Sequence, residues 1–213
     1  MKKYLLTLFA FITFFPNVFG QVNIDHWESP VLATDNFFYW NGSTEPNANW
    51  RSKNFVPSNW NMGNGGFGYG DGDDNTILNG ANSVMIRKNF SIADKTEIES
   101  VIFHMDYDDG FVAYLNGKQI ARENMPSANQ FPLASEFAIG NHEATLYQGG
   151  LPSKFVIPKN QIQNLLENGT NSLAIQVHNV SNTSSDLSCL PFLTFGVTYQ
   201  NQVFSNPPSW FTP

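Results

Sequence analysis

Asp106-Tyr107-Asp108-Asp109-Gly110-Phe111-Val112-Ala113-Tyr114-Leu115-Asn116-Gly117 decides the reading of this 213-residue chain. Its first five residues hold three carboxylates and a glycine, which is turn chemistry. Phe111, Ala113 and Leu115 then alternate with Val112 and Tyr114, so one face of a strand is aimed at a core. Asn116-Gly117 is the strongest short hairpin signal, because both residues tolerate the positive φ that a tight type I′ turn requires. Lys118 to Arg122 is the expected return strand.

Strands are expected on both sides of this run. Upstream, Ile98 to Met105 places Val101, Phe103 and Met105 on one face and Ile102 and His104 on the other, and Val84 to Phe90 is β-rich. Downstream, Ser172 to His178 turns Leu173, Ile175 and Val177 inward, and Leu190 to Tyr199 is the last strand. Shorter strands are predicted at Phe37–Trp40, Trp50–Phe55 and Lys154–Ile157. One short helix is expected over Pro158–Asn168, with Pro at its start and Gly169 as its stop. Long loops fill Asn41–Asn49, Pro57–Asn82 and Asn124–Gly150. About eight alternating strands without a strand–helix–strand rhythm predict an all-β antiparallel sandwich with long loops.

The N-terminus sets the compartment. Lys2 and Lys3 precede an apolar run from Tyr4 to Phe15, Pro16 and Asn17 break it, and Val18-Phe19-Gly20 supplies the permissive residues before a cleavage point. This is the layout of a secretory signal peptide over residues 1–20, and the run is too short for a membrane span of about 20 residues. Export to the extracellular space, the cell surface or the periplasm is therefore expected, with no membrane insertion after cleavage. Without Lys2 and Lys3 the 11 basic residues fall to 9 against 18 acidic ones. Dispersed cations on an acidic chain argue against nucleic acid as a partner. The one cysteine, Cys189, lies in an apolar setting and is expected in the core.

Two acidic constellations stand out. Asp71, Asp73 and Asp74 alternate with glycine, and Asp106, Asp108 and Asp109 precede the Phe111 strand. Short carboxylates in glycine-bearing loops are how hard cations such as Ca2+ are chelated. For the first the alternative is a solvated acidic turn, and for the second that the carboxylates bond turn amides or lie against Arg87 or Arg122. Trp60, Tyr69, Tyr107, Arg87, Arg122 and His178 are the candidate ligand-binding residues, since sugar recognition combines aromatic faces with hydrogen-bonding side chains. His104 and His178 occupy strand positions expected to face away from the core. No catalytic motif marks a nucleophile, a metalloprotease helix or a phosphate loop. The expectation is therefore a non-catalytic module, with a small glycosidase or esterase as the enzyme alternative.

Taken in order, Phe55-Val56-Pro57-Ser58-Asn59-Trp60, Gly66 to Asp71, Val84 to Phe90, Asp106 to Gly117 and Asn171 to Asn179 resemble the galactose-binding-like jelly-roll domains of secreted Bacteroidetes-type proteins. Such domains often precede a lamin-tail domain or a spore-coat protein H type kinase domain. The resemblance covers about Trp50 to Tyr199. It implies a jelly-roll sandwich, placed at residues 46–200 after an N-terminal lead-in at 21–45 that shows no clear period. The tail at 201–213 resembles the linker after which such proteins continue, so the chain is expected to be either the N-terminal part of a longer protein with C-terminal domains or a truncated relative. The resemblance also implies an accessory role, either binding a polysaccharide or glycan or serving as a structural spacer.

Overall fold

The computed structural model describes residues 23–213 except 73, 79 and 127–129. The expected signal peptide lies outside the described residues. Twelve strands and one α-helix run in the order β1 (His26–Val31), β2 (Asn36–Asn41), β3 (Asn61–Asn64), β4 (Phe67–Tyr69), β5 (Thr76–Ile77), β6 (Ser83–Ile92), β7 (Ile98–Asp108), β8 (Gly110–Leu115), β9 (Lys118–Glu123), β10 (Ser153–Ile157), α1 (Lys159–Leu165), β11 (Gly169–His178) and β12 (Leu187–Val197).

The strands form two six-stranded sheets. One has the order β10-β7-β12-β4-β5, with β1 also paired to β12, and the other has the order β3-β2-β6-β11-β8-β9. All the pairings are antiparallel except β4 with β5. The expected antiparallel β-sandwich with one short helix is the observed architecture. Asn116 at φ 52 and Gly117 at φ 83 make the tight β8–β9 turn with the left-handed backbone their sequence predicts.

The core forms where the sequence alternation places it. Val101, Phe103 and Met105 of β7, Phe111, Ala113 and Leu115 of β8, and Leu173, Ile175 and Val177 of β11 belong to one buried cluster with Cys189, Leu193 and Phe195 of β12. Cys189 is free and buried, and burial pushes its thiol pKa up. The opposite positions of the second sheet are buried too. Met85, Val112, Tyr114 and Ala174 pack beneath Trp50 and Trp60 in a second cluster. Loops cover the outer face that strand alternation alone would have left to water.

Four expectations change here. The expected loop at Pro57–Asn82 carries the short strands β3, β4 and β5. Trp50–Phe55 is not a strand but a run of turns. Its Ser52 side chain bonds nearby backbone, accepting from Asn54 N at 3.4 Å, and Asn47 Oδ1 just before the segment accepts from Asn49 N at 2.9 Å; such local bonds compete with a ladder. Arg87 of β6 holds this segment from below, donating to Trp50 O at 2.6 Å and Ser52 O at 3.2 Å. The stretch at 21–45 carries β1 and β2, one in each sheet, so its described part is integral to the sandwich rather than a loose lead-in. The tail at 201–213 is folded back on the first sheet. Buried Glu28 accepts from Val203 N at 2.8 Å and Phe204 N at 2.7 Å, and Trp210 packs on His104 and Phe192.

Candidate metal centre

At Asp109 the chain leaves β7 in the first sheet and enters β8 in the second, and loops 141–143 and 180–186 close over this corner. Between them lies a cavity of about 280 Å³ lined by Asp108, Asp109, Asn141, Glu143 and Asp186, with Ser181, Thr183, Ser184 and Ser185 supplying hydroxyls. Carboxylate oxygens of Asp108, Glu143 and Asp186 all lie within 4.8 Å of one another. The cavity offers oxygen donors from three chain segments.

The three aspartates of the sequence run have different surroundings. Asp106 is filled by amides: Oδ1 accepts from Thr145 N and Oδ2 from Leu146 N, both at 2.9 Å. Asp109 is filled likewise, by His142 N at 2.9 Å and Val180 N at 2.7 Å. Both satisfy turn backbone, as the structural alternative for this run required. Asp108 is 3% exposed, and its Oδ1 has no hydrogen-bond partner. Burial first, then Asp109, Asp186, Glu143 and Asp71 in that order, push its carboxyl up to about 8. Desolvation and like charge both disfavour its anion, and among the described residues no ion pair compensates them.

The other acidic loop comes close without joining the group. Ser188 of β12 pairs with Gly68 of β4 on one side and Asp108 of β7 on the other. Its hydroxyl donates to Asp71 Oδ2 at 2.5 Å. The two loops therefore flank one residue, but of the expected metal ligands among the described residues only Asp108 belongs to the three-carboxylate group. Asp74 sits in the Asp71 loop, near enough to β12 to raise the Cys189 thiol, and Asp73 lies outside the described residues.

Glu143 and Asp186 carry no motif. Glu143 is an isolated acid in a long loop, and Asp186 is a single acid immediately before β12. An acid flanking a strand end is the one signal the sequence offers for Asp186.

The six expected ligand-binding residues do not converge on this cavity. Arg87 is buried and saturated, bonding Ser172 Oγ and Asn89 Oδ1 besides the two carbonyls, and burial lowers it to about 10. Arg122 bonds Gln119 Oε1, Pro126 O and Gln130 O, so it pins a loop. Neither guanidinium bonds the Asp106–Asp109 run. Tyr107 stacks on His142 at 4.0 Å and donates to Glu123. Tyr69 receives Asn179 Nδ2 at 2.8 Å. Trp60 is wedged among Trp40, Trp50 and Phe55, each ring within 6.0 Å, and lines a separate polar cavity with Trp40 and Phe55.

His178 faces away from the core, as its alternation with Val177 implied, yet it is fully buried with Nδ1 against Glu136 O of a covering loop at 2.8 Å, and burial lowers it to about 4. His104 also faces away from the core. It is still 4% exposed, because the tail's Trp210 and Phe211 cover it.

No family model matches the chain, and no curated protein does. Solved structures are similar at low identity. A β-glucuronidase of Bacteroides uniformis is 13% identical over 80% of this chain and 18% of its own, with a TM-score of 0.49. A calcium-binding mutant of Bacteroides uniformis β-glucuronidase 2 is 14% identical over 80% of this chain and 18% of its own, with a TM-score of 0.48. A glycosyl hydrolase family 2 member from Bacteroides cellulosilyticus is 14% identical over 79% of this chain and 20% of its own, with a TM-score of 0.48. The chain spans about a fifth of the length of each of these enzymes.

Proposed function

We propose that this chain is an exported, non-catalytic accessory module that binds a carbohydrate or another hydroxyl-rich surface polymer at the cavity of the β7–β8 corner. One observation carries the reading. A recess lined by carboxylates, an amide and four hydroxyl side chains suits a ligand that presents many hydroxyls. Carboxylate and amide oxygens accept from sugar hydroxyls, and Asn141 and the serines can donate back. The resemblance of the Asp106–Gly117 run to galactose-binding-like jelly rolls supports an accessory role beside domains outside this chain. A cation such as calcium in the same recess fits its acidity.

A second reading draws on Asp108. A carboxyl raised by burial beside other carboxylates is the arrangement that glycoside hydrolysis uses for its general acid.

One experiment separates these readings. The protein is applied to a glycan array and to insoluble polysaccharides, with calcium and with chelator. Reducing ends are counted in parallel. Retention of a polysaccharide that weakens at least tenfold in Asn141→Ala, without release of reducing ends, is the expected result. Blank arrays in both conditions reject the binding reading and leave the spacer role. Release of reducing ends that stops in Asp108→Asn establishes the hydrolase.

A further inference from the structure

We infer that Asp108, Glu143 and Asp186 form a binding site for one hard divalent cation of the calcium class, and that the ion ties the β7–β8 corner to the loops at 141–143 and 180–186. The inference takes the same cavity as the functional reading but does not depend on any glycan occupying it.

Two independent observations point to a ligand. The first is geometric: one oxygen from each of three carboxylates falls within 4.8 Å of the other two. Oxygens bound to calcium at 2.3–2.6 Å stand up to about 5 Å apart across the ion, so three at this spacing fit one coordination shell. The second is the state of Asp108. The residue is 3% exposed and lines the cavity with Oδ1 unpartnered. Native structures rarely leave a buried carboxylate oxygen without a donor, and a bound ion is one of the few accounts of such a case. Asp106 and Asp109, two and one residues away, show what the fold does with an aspartate that serves only turns. Their oxygens are met by backbone N–H groups.

Side-chain cations do not fill the role. The ion pairs among the described residues join Asp25, Glu28, Asp35, Glu99 and Glu167 to His or Lys, and none includes Asp108, Glu143 or Asp186. The donors are oxygen throughout, which selects calcium or magnesium over zinc or copper. Ligands drawn from three separate segments, two of them loops, suit the flexible shell of calcium better than the strict octahedron of magnesium.

The test uses the whole chain, stripped with chelator and titrated with Ca2+ alone, without glycan. Calorimetry should show one site, and saturating Ca2+ should raise Tm by about 5 °C or more. Glu143→Gln and Asp186→Asn lie on accessible loops and should fold normally, each weakening Ca2+ at least tenfold. Asp108→Asn should fold and lose the Tm response. Mg2+ at the same concentration should give a smaller rise. The proposal is overturned by no binding heat with a flat Tm at millimolar Ca2+. Binding that both loop variants leave unchanged overturns it too, as does a response to Zn2+ or Mg2+ larger than that to Ca2+. Calcium binding with blank glycan arrays would sink only the functional reading, and glycan binding by a protein with a flat calcium response would sink only this one.

Discussion

Two histidines make the residue-scale case for what burial does to charge. His104 and His178 sit at alternate strand positions, and burial lowers both to about 4. For His104 the Lys154 ammonium, its partner across β10, works in the same direction. For His178 the Glu136 carbonyl at Nδ1 opposes the shift without cancelling it. The sign follows. The unfolded chain takes a proton near pH 6.5 and the folded one near 4, so stability is full above 6.5 and falls as pH drops through that window. The His178 imidazole withdraws up to about 3 kcal/mol by pH 4, and that of His104, which solvent screens more, withdraws less. Urea melts at pH 7.5 and 4.5 should show this decline, and His104→Phe, which keeps a ring under Trp210, should flatten part of it. An unchanged slope in that variant would mean that His104 is charged in the folded protein. The sequence placed His104 on the outer face correctly. That the face is covered depends on Trp210 and Phe211, about a hundred residues away, and no local pattern contains that.

At the element scale the loop at 50–55 carries the lesson. Its aromatics suggested a strand, yet they cover the second sheet as a lid held by one guanidinium. Arg87 reaches through the outer face of β6 to two carbonyls of that lid, to Ser172 of the neighbouring strand β11 and to Asn89 of β6 itself. Arg87→Met keeps most of the stem volume but leaves buried carbonyls without donors. A loss of about 3 kcal/mol in chemical denaturation is expected, along with greater quenching of Trp50 fluorescence. Loss below about 0.5 kcal/mol would show that the lid is held by its aromatic contacts alone. The strands themselves were readable because period-2 alternation is a local property. The lid was not, because aromatic residues serve a ladder and a cover equally well.

At the scale of the whole molecule the chain is closed by its ends. Glu28 of β1 accepts from Tyr199, Val203 and Phe204, and Lys154 of β10 donates to Thr212 O at 3.0 Å. Removing residues 207–213 uncovers His104, Phe192 and Trp27. A stability loss of about 2–4 kcal/mol, or roughly 5–10 °C in Tm, is expected from the apolar area exposed. The calcium response should survive that truncation, since no residue of the tail lines the corner cavity. A truncated chain with unchanged Tm would make the tail a passive linker, as its proline-rich sequence first suggests.

The sequence by itself determined the strand pattern, the Asn116-Gly117 turn, the buried cysteine and the fact that Asp106–Asp109 is a special corner. Each rests on interactions within a few residues of the chain. Only the tertiary structure decided which aspartate is free to take a ligand. Asp106, Asp108 and Asp109 are nearly indistinguishable in sequence, but the backbone amides that satisfy two of them come from residues 142–146 and 180. The carboxylates that gather around the third come from 143 and 186. Coordination and desolvation are set by distance in space, and at this corner the chain brings together segments 35 to 78 residues apart.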